Sequence, residues 1–169
     1  MLNKEREIYI QDTLLHKSLV LQEANKLFIW LCKNGKRNVA EKLAKAALIH
    51  DDSKLSKLEC SSMAKIKAKV KPEEDSMKDP NVLPNDDIIE ILENHWKNNR
   101  HHPEHFPNVN DMKEHDIAEM VCDWSARSIQ YGTNLMEFAK TRLENRFFAF
   151  SEENKRKILL YCKVLIDNR

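Results

Sequence analysis

Glycine occurs only twice in 169 residues, at Gly35 and Gly132. Tight hairpin turns favour residues with positive φ, and glycine adopts that conformation at least cost. Two glycines leave little material for a sheet built of such turns. Lysine, leucine, glutamate and alanine dominate instead, and apolar residues recur at helical spacing, so the predicted fold class is all-α. Each glycine follows an apolar helical run, where it serves as a stop signal.

The spacing predicts about six helices. The first runs from about Lys4 to Cys32, with Ile8, Leu14, Leu15, Val20, Leu21, Leu27, Phe28 and Leu31 as its apolar side, and Asn34-Gly35 ends it. A second starts near Asn38 and carries Val39, Leu43, Ala46, Ala47 and Ile49 into His50-Asp51. Lys54 to Glu59 reads as continued helix or turn. From Ser61 to Pro84 the chain reads as an irregular loop whose first part could be a short helix, with lysines at 65, 67, 69, 71 and 78. That stretch is either a solvated connection or a lid whose lysines meet an anionic substrate. Asn85 is a good N-cap for a third helix to about Asn98, with Asp86 and Asp87 in its first turn. Pro103 and Pro107 enforce an irregular segment. A fourth helix covers about Asp111 to Tyr131, a fifth starts near Asn134, and a sixth runs from a Ser151 cap to Asp167. Ile158, Leu159, Cys162, Val164 and Leu165 form the core side of the last. The length fits one domain, residues 1–169, with the helices of about 134–167 as packing scaffold.

Several function classes are disfavoured. A formal charge of +1 gives no electrostatic claim on nucleic acid or membrane, so double-stranded nucleic acid is not an expected partner. No apolar run approaches the roughly 20 residues that span a bilayer, and the charged start, Met1 to Glu7, does not read as a signal peptide. Cys32, Cys60, Cys122 and Cys162 are scattered, with no Cys-x-x-Cys, and read as reduced thiols of a cytoplasmic protein.

The histidines carry the chemical signal. His16, the pair His50-Asp51, and Asp123 all fall on predicted helices, and His95 and the run His101-His102-Pro103-Glu104-His105 lie between. Asp123 sits mid-helix on the side of Met120 and Trp124, where a carboxylate is costly to bury unless a cation or donors compensate. His95 extends the stripe of Ile91 and Leu92. Imidazole and carboxylate together suit first-row divalent metals. Taken alone, His16 and His95 also read as ordinary helix and core histidines.

In order and approximate spacing, His16, His50-Asp51 and Asp123 resemble the H…HD…D pattern of the HD-domain metal-dependent phosphohydrolase superfamily. The strings from His50 to Lys54, Glu59, His95, His101 to His105 and Asp123-Trp124 look like a small HD-like group of bacteria and their phages. The resemblance covers about residues 10 to 130 and implies an HD-like helical bundle. It implies one metal held by His16, His50, Asp51 and Asp123, with a second metal available to His95 and His102 or His101 and bridged by Asp51. The ion would be Mn, Co, Ni, Zn, Mg or Fe, and the reaction hydrolysis of a phosphate ester in a small phosphorylated metabolite, a nucleotide being the expected case.

Supporting roles follow from chemistry and position. Lys54 is a point cation for a phosphate oxygen, and Glu59 a general acid or base; Asp51 would serve catalysis as well as the metal. Arg100 and His105 are candidate substrate contacts, Glu104 an alternative acid, and Glu119 a partner for a metal-bound histidine. Trp96, Phe106 and Trp124 could stack on a base but read more simply as core. Two other functions fit the same order of residues: a diiron oxygenase, in which a lysine also follows the HD pair, and a non-catalytic, metal-stabilised, ligand-binding domain. A homodimer is a further expectation from the superfamily.

Overall fold

A computed structural model describes residues 4–69, 86–144 and 148–169, and every described element is helical. Seven α-helices are described: α1 (Lys4–Lys33), α2 (Arg37–Ile49), α3 (Lys57–Lys69), α4 (Asp86–Asn98), α5 (Glu114–Tyr131), α6 (Leu135–Glu144) and α7 (Glu152–Asp167). Short 3-10 turns occupy Asp52–Leu55, Pro103–His105 and Val109–Asp111. The all-α expectation holds. The seventh helix is α3, which takes the opening of the stretch read as an irregular loop. Residues 70–85, with Lys71, Lys78, Pro72, Pro80, Pro84 and the expected Asn85 cap, lie outside the described residues.

Both glycines act as the sequence predicts. Gly35 has φ 73° and Gly132 φ 65°, the left-handed conformation that ends helices. After α1, the Lys36 amide returns to the Leu31 carbonyl at 2.9 Å, closing the last turn. Asn134 Oδ1 accepts from the Met136 and Glu137 amides, and Ser151 Oγ from the Asn154 amide, so α6 and α7 start where expected. The predicted start of the fourth helix is three residues early. Asn108 caps a 3-10 turn over Val109–Asp111, and α5 begins only where Asp116 Oδ2 accepts from the Lys113 amide at 2.9 Å.

The predicted apolar face of α1 needs correction. Its buried stripe is Tyr9, Thr13, His16, Val20, Glu23, Ala24, Leu27 and Leu31, whereas Ile8, Leu14, Leu15 and Leu21 are exposed. Val20, Leu27 and Leu31 lie on the stripe as predicted, but the stripe also contains polar residues, so apolar residues alone misplace the face in the N-terminal half of the helix. His16 lies on it. In α2 the buried residues Ala40, Leu43 and Ala47 continue the same rhythm to His50, and Ile49, expected in the core, is exposed.

The chain forms two compact units. The first comprises residues 1–15 and 51–99, the second 16–50 and 100–169. The first has a small buried cluster, Tyr9, Cys60 and Ala64, flanked by Ile10 and Met63. In the second, α5 packs against α2, α6 and α7. Val20, Leu27 and Leu31 of α1, Leu43 of α2, Ile117 and Val121 of α5, and Ile158, Cys162 and Leu165 of α7 share its core. All four cysteines are free thiols. Burial, with nearby carboxylates, pushes the Cys122 thiol far up, and burial pushes Cys162 up to about 12, which leaves both as unreactive packing groups. Among the described residues no helix is long and apolar enough to cross a membrane.

Candidate metal centre

Helix α5 supplies the frame of the second unit's polar site. Asp116, Glu119, Asp123, Arg127 and Gln130 follow one another at intervals of three or four residues, so they form one ridge along the helix. Each reaches a partner far away in the chain or on the ridge itself.

His16 Nδ1 donates to Gln130 Oε1 at 2.8 Å. Arg127 Nη1 donates to the same oxygen at 3.3 Å, which fixes the orientation of the Gln130 amide. With its proton on Nδ1, neutral His16 presents a lone pair at Nε2, and that atom lies 2.8 Å from Asp123 Oδ1. His50 repeats the pattern: Nδ1 donates to Glu119 Oε1 at 3.0 Å, and Nε2 lies 3.8 Å from Asp123 Oδ1. His101 Nδ1 lies 3.3 Å from Glu119 Oε1, and its ring lies over that of His50, centroids 4.2 Å apart. A lone pair facing a carboxylate is repulsive. The arrangement is stable only with a positive charge there, either a second proton on the ring or a metal ion.

The separations suit a metal ion. Two ligand atoms bound to one ion at about 2.1 Å stand about 3 to 3.5 Å apart at the usual coordination angles. The 2.8 and 3.8 Å separations bracket that range. His50, His101 and Glu119 also offer ligand atoms within 4.8 Å of one another, all buried, a group that could hold a metal ion. A carboxylate or carbonyl on Nδ1 is what orients a metal-binding imidazole and fixes its tautomer. The donor set therefore fits a divalent transition ion.

The electrostatics agree. Burial alone would raise the Glu119 carboxyl, but hydrogen bonds from His101 and His50 outweigh it and hold the group at about 2. Asp123 is held well below the usual carboxylate range: burial opposes, and the His16 hydrogen bond with the charges of His16, His50 and His101 prevails. Both acids are ionised at neutral pH.

The first unit gathers Asp51, Lys54, Glu59 and His95. Asp51 is buried and has φ 56° and ψ 20°, the only described non-glycine residue at positive φ. Such strain in a non-glycine residue costs energy and clusters at functional sites. Lys54 Nζ donates to Asp51 Oδ2 at 2.5 Å, and His95 Nε2 lies 3.3 Å from Oδ1. Glu59, also buried, accepts from His95 Nδ1 at 3.0 Å, Ser53 Oγ at 3.0 Å and Asn94 Nδ2 at 2.8 Å. Asn99 Nδ2 in turn donates to Ser53 Oγ at 2.8 Å. Burial would lower the His95 pKa, but hydrogen bonds to Asp51 and Glu59 win and raise it. In this geometry Glu59 orients His95.

The remaining candidates are placed as follows. His102 is more exposed than His101, its ring 4.2 Å from that of His101 and its Nδ1 3.9 Å from Glu104. His105 packs edge-on against Phe106. Arg100 grips Asp116, with Nε on Oδ1 at 3.2 Å and Nη2 on Oδ2 at 3.1 Å. Trp124 packs against Phe138 and the second core. Sequence reasoning missed Ser53, Asn94, Asn99, Asp116 and Gln130. The ridge spacing on α5 would have found Asp116 and Gln130; the others carry no signal beyond lying beside or one turn from His95 or Lys54.

No curated protein and no solved structure matches the chain. A family model described as "Family of unknown function (DUF5662)" matches residues 5–164. That match spans nearly the whole sequence, both units and every residue of the two polar clusters, and the chain belongs to this family of unknown function.

Proposed function

We propose that the protein is a divalent-metal-dependent phosphohydrolase acting on a small phosphorylated metabolite, a nucleotide being the first candidate. The observation that carries this reading is the convergence of His16, His50, His101, Glu119 and Asp123 inside the second unit. The order His16, His50-Asp51, Asp123 and the all-α fold support it through the resemblance to HD-domain phosphohydrolases.

His16, His50 and Asp123 would hold the ion, and Asp51, the residue after His50, is added to that set by the resemblance alone. An imidazole-rich set favours Mn, Fe, Co, Ni or Zn over Mg. A divalent ion supplies a hydrolytic nucleophile at neutral pH and neutralises charge developing on phosphoryl oxygens. The chain's residues do the rest. Glu119 and Gln130 accept from Nδ1 of His50 and His16, which turns each Nε2 toward Asp123. Glu59 orients His95. Lys54, a compact cation on Asp51, is assigned to a phosphate oxygen of the substrate.

The test is phosphate release from a panel of nucleoside mono-, di- and triphosphates by metal-depleted protein reloaded with Mn, Co, Ni, Zn or Mg. Release that needs added metal and disappears in Asp123→Ala is expected. Bound metal with no release across the panel would overturn the reading. Two irons per chain with O₂-dependent turnover would favour the oxygenase.

A further inference from the structure

We propose that Arg100 and Asp116 form a clamp that positions the His101 ring against Glu119 and His50. The inference deepens the metal reading, since it names how one imidazole of that centre is held. His16 lies within a helix and His50 at the end of one, so helical backbone sets where they point. His101 has no such support. It lies in a turn between the end of α4 and the 3-10 turn at Pro103–His105. A ligand on a loop needs an anchor if its ring is to stay within a fraction of an ångström.

Arg100, the preceding residue, is that anchor. Its planar fork meets both oxygens of Asp116 at 3.2 and 3.1 Å, a bidentate pair that fixes direction as well as distance. The guanidinium carbon also lies 5.0 Å from the centroid of Phe106. One side chain therefore ties the start of the 100–106 segment to its end and to α5. Asp116 is itself held in place by several contacts: it is buried, its Oδ2 accepts the Lys113 amide at the start of α5, and His115 Nε2 lies 3.5 Å from Oδ1. Glu119 stands three residues along the same ridge and meets His101 Nδ1 at 3.3 Å, longer than its 3.0 Å bond to His50. The weaker contact is the one that depends on the loop.

An arginine is required, because lysine offers one point charge, no fork and a poor stacking face. Arg100→Lys and Arg100→Ala both leave Asp116 capping α5, so the fold has no reason to fail, and thermal unfolding checks that it does not. The first readout is the imidazole nitrogen NMR spectrum of metal-free protein. Both variants should shift the His101 nitrogens toward the averaged tautomers of a free ring and leave those of His50 and His16 unchanged. The second is Co²⁺ affinity by absorbance titration, which should fall about 10- to 100-fold in both, as when the outer support of a ligand is lost. His101 signals identical to wild type in folded Arg100→Ala would overturn the clamp. Arg100→Lys behaving as wild type would also overturn it, by showing that charge alone suffices. Wild-type protein that binds no Co²⁺ would instead defeat the metal reading, while the NMR comparison still decides the clamp.

Discussion

In the second unit, His16 and His50 continue buried helical stripes, and Val20, Leu27, Leu43, Ile117 and Ile158 pack in the core of the same unit. Among the described residues of the first unit the fully buried apolar cluster is Tyr9, Cys60 and Ala64, and His95 is held by Glu59, Ser53 and Asn99, with Asn94 donating to Glu59. One region is organised by a core with a polar ridge laid through it. The other is organised by hydrogen bonds with a small core beneath. Apolar packing tolerates loss of one polar partner. A network in which one carboxylate accepts from three side chains does not, because each donor left over pays its own desolvation.

The largest effect should come from the second core. Leu43→Ala or Leu27→Ala should cost about 2 to 5 kcal/mol, the usual cost of a cavity at a fully buried leucine. Urea unfolding followed by circular dichroism measures it. A cost below about 1 kcal/mol would mean that the core relaxes freely and that the contrast is wrong.

That part of the molecule was also the more legible. The helices of α2, α5 and α7 follow from spacing, capping residues and the two glycines, because these signals are local. The N-terminal half of the α1 face escapes an apolar count because Thr13, His16 and Glu23 occupy buried positions, Thr13 donating to the Tyr9 carbonyl one turn back and His16 and Glu23 meeting Gln130 and Ser125 of α5. His16, His50, His95, His101 and Asp123 stood out as residue types suited to metals. Gln130, Asn94, Asn99 and Ser53 did not, since their roles come from tertiary neighbours and their side chains are ordinary surface chemistry. Arg100 reads as a substrate cation until Asp116, sixteen residues on, is seen to hold it.

In the first unit, Glu59→Ala removes the acceptor of three side-chain donors. A loss of about 1 to 3 kcal/mol is expected, seen as faster amide exchange in α4. Exchange in α4 equal to wild type would show that the small apolar cluster suffices.

A smaller effect isolates the strained backbone at Asp51. Asp51→Gly and Asp51→Ala remove the same carboxylate, but only alanine pays for φ 56°. The glycine variant should be the more stable by about 1 kcal/mol. Equal midpoints would mean the turn relaxes when the carboxylate goes.

The smallest is a dependence on pH in metal-free protein. The Glu119 carboxyl is depressed in the folded state from an ordinary 4.5 to about 2. Its contribution is therefore complete above pH 4.5 and is lost as pH falls toward 2. The stability gap between wild type and Glu119→Gln should narrow over that window. A gap that stays constant would mean that Glu119 is not held by charged His50 and His101.

Elemental analysis of untagged protein is the most direct test of whether the imidazoles and acids along α5 hold a divalent ion. Wild type should carry about one Mn, Fe, Co, Ni or Zn per chain, and folded His16→Ala and Asp123→Ala should carry almost none. Wild-type protein that stays free of metal after reloading, or variants that keep the full content, would contradict the account.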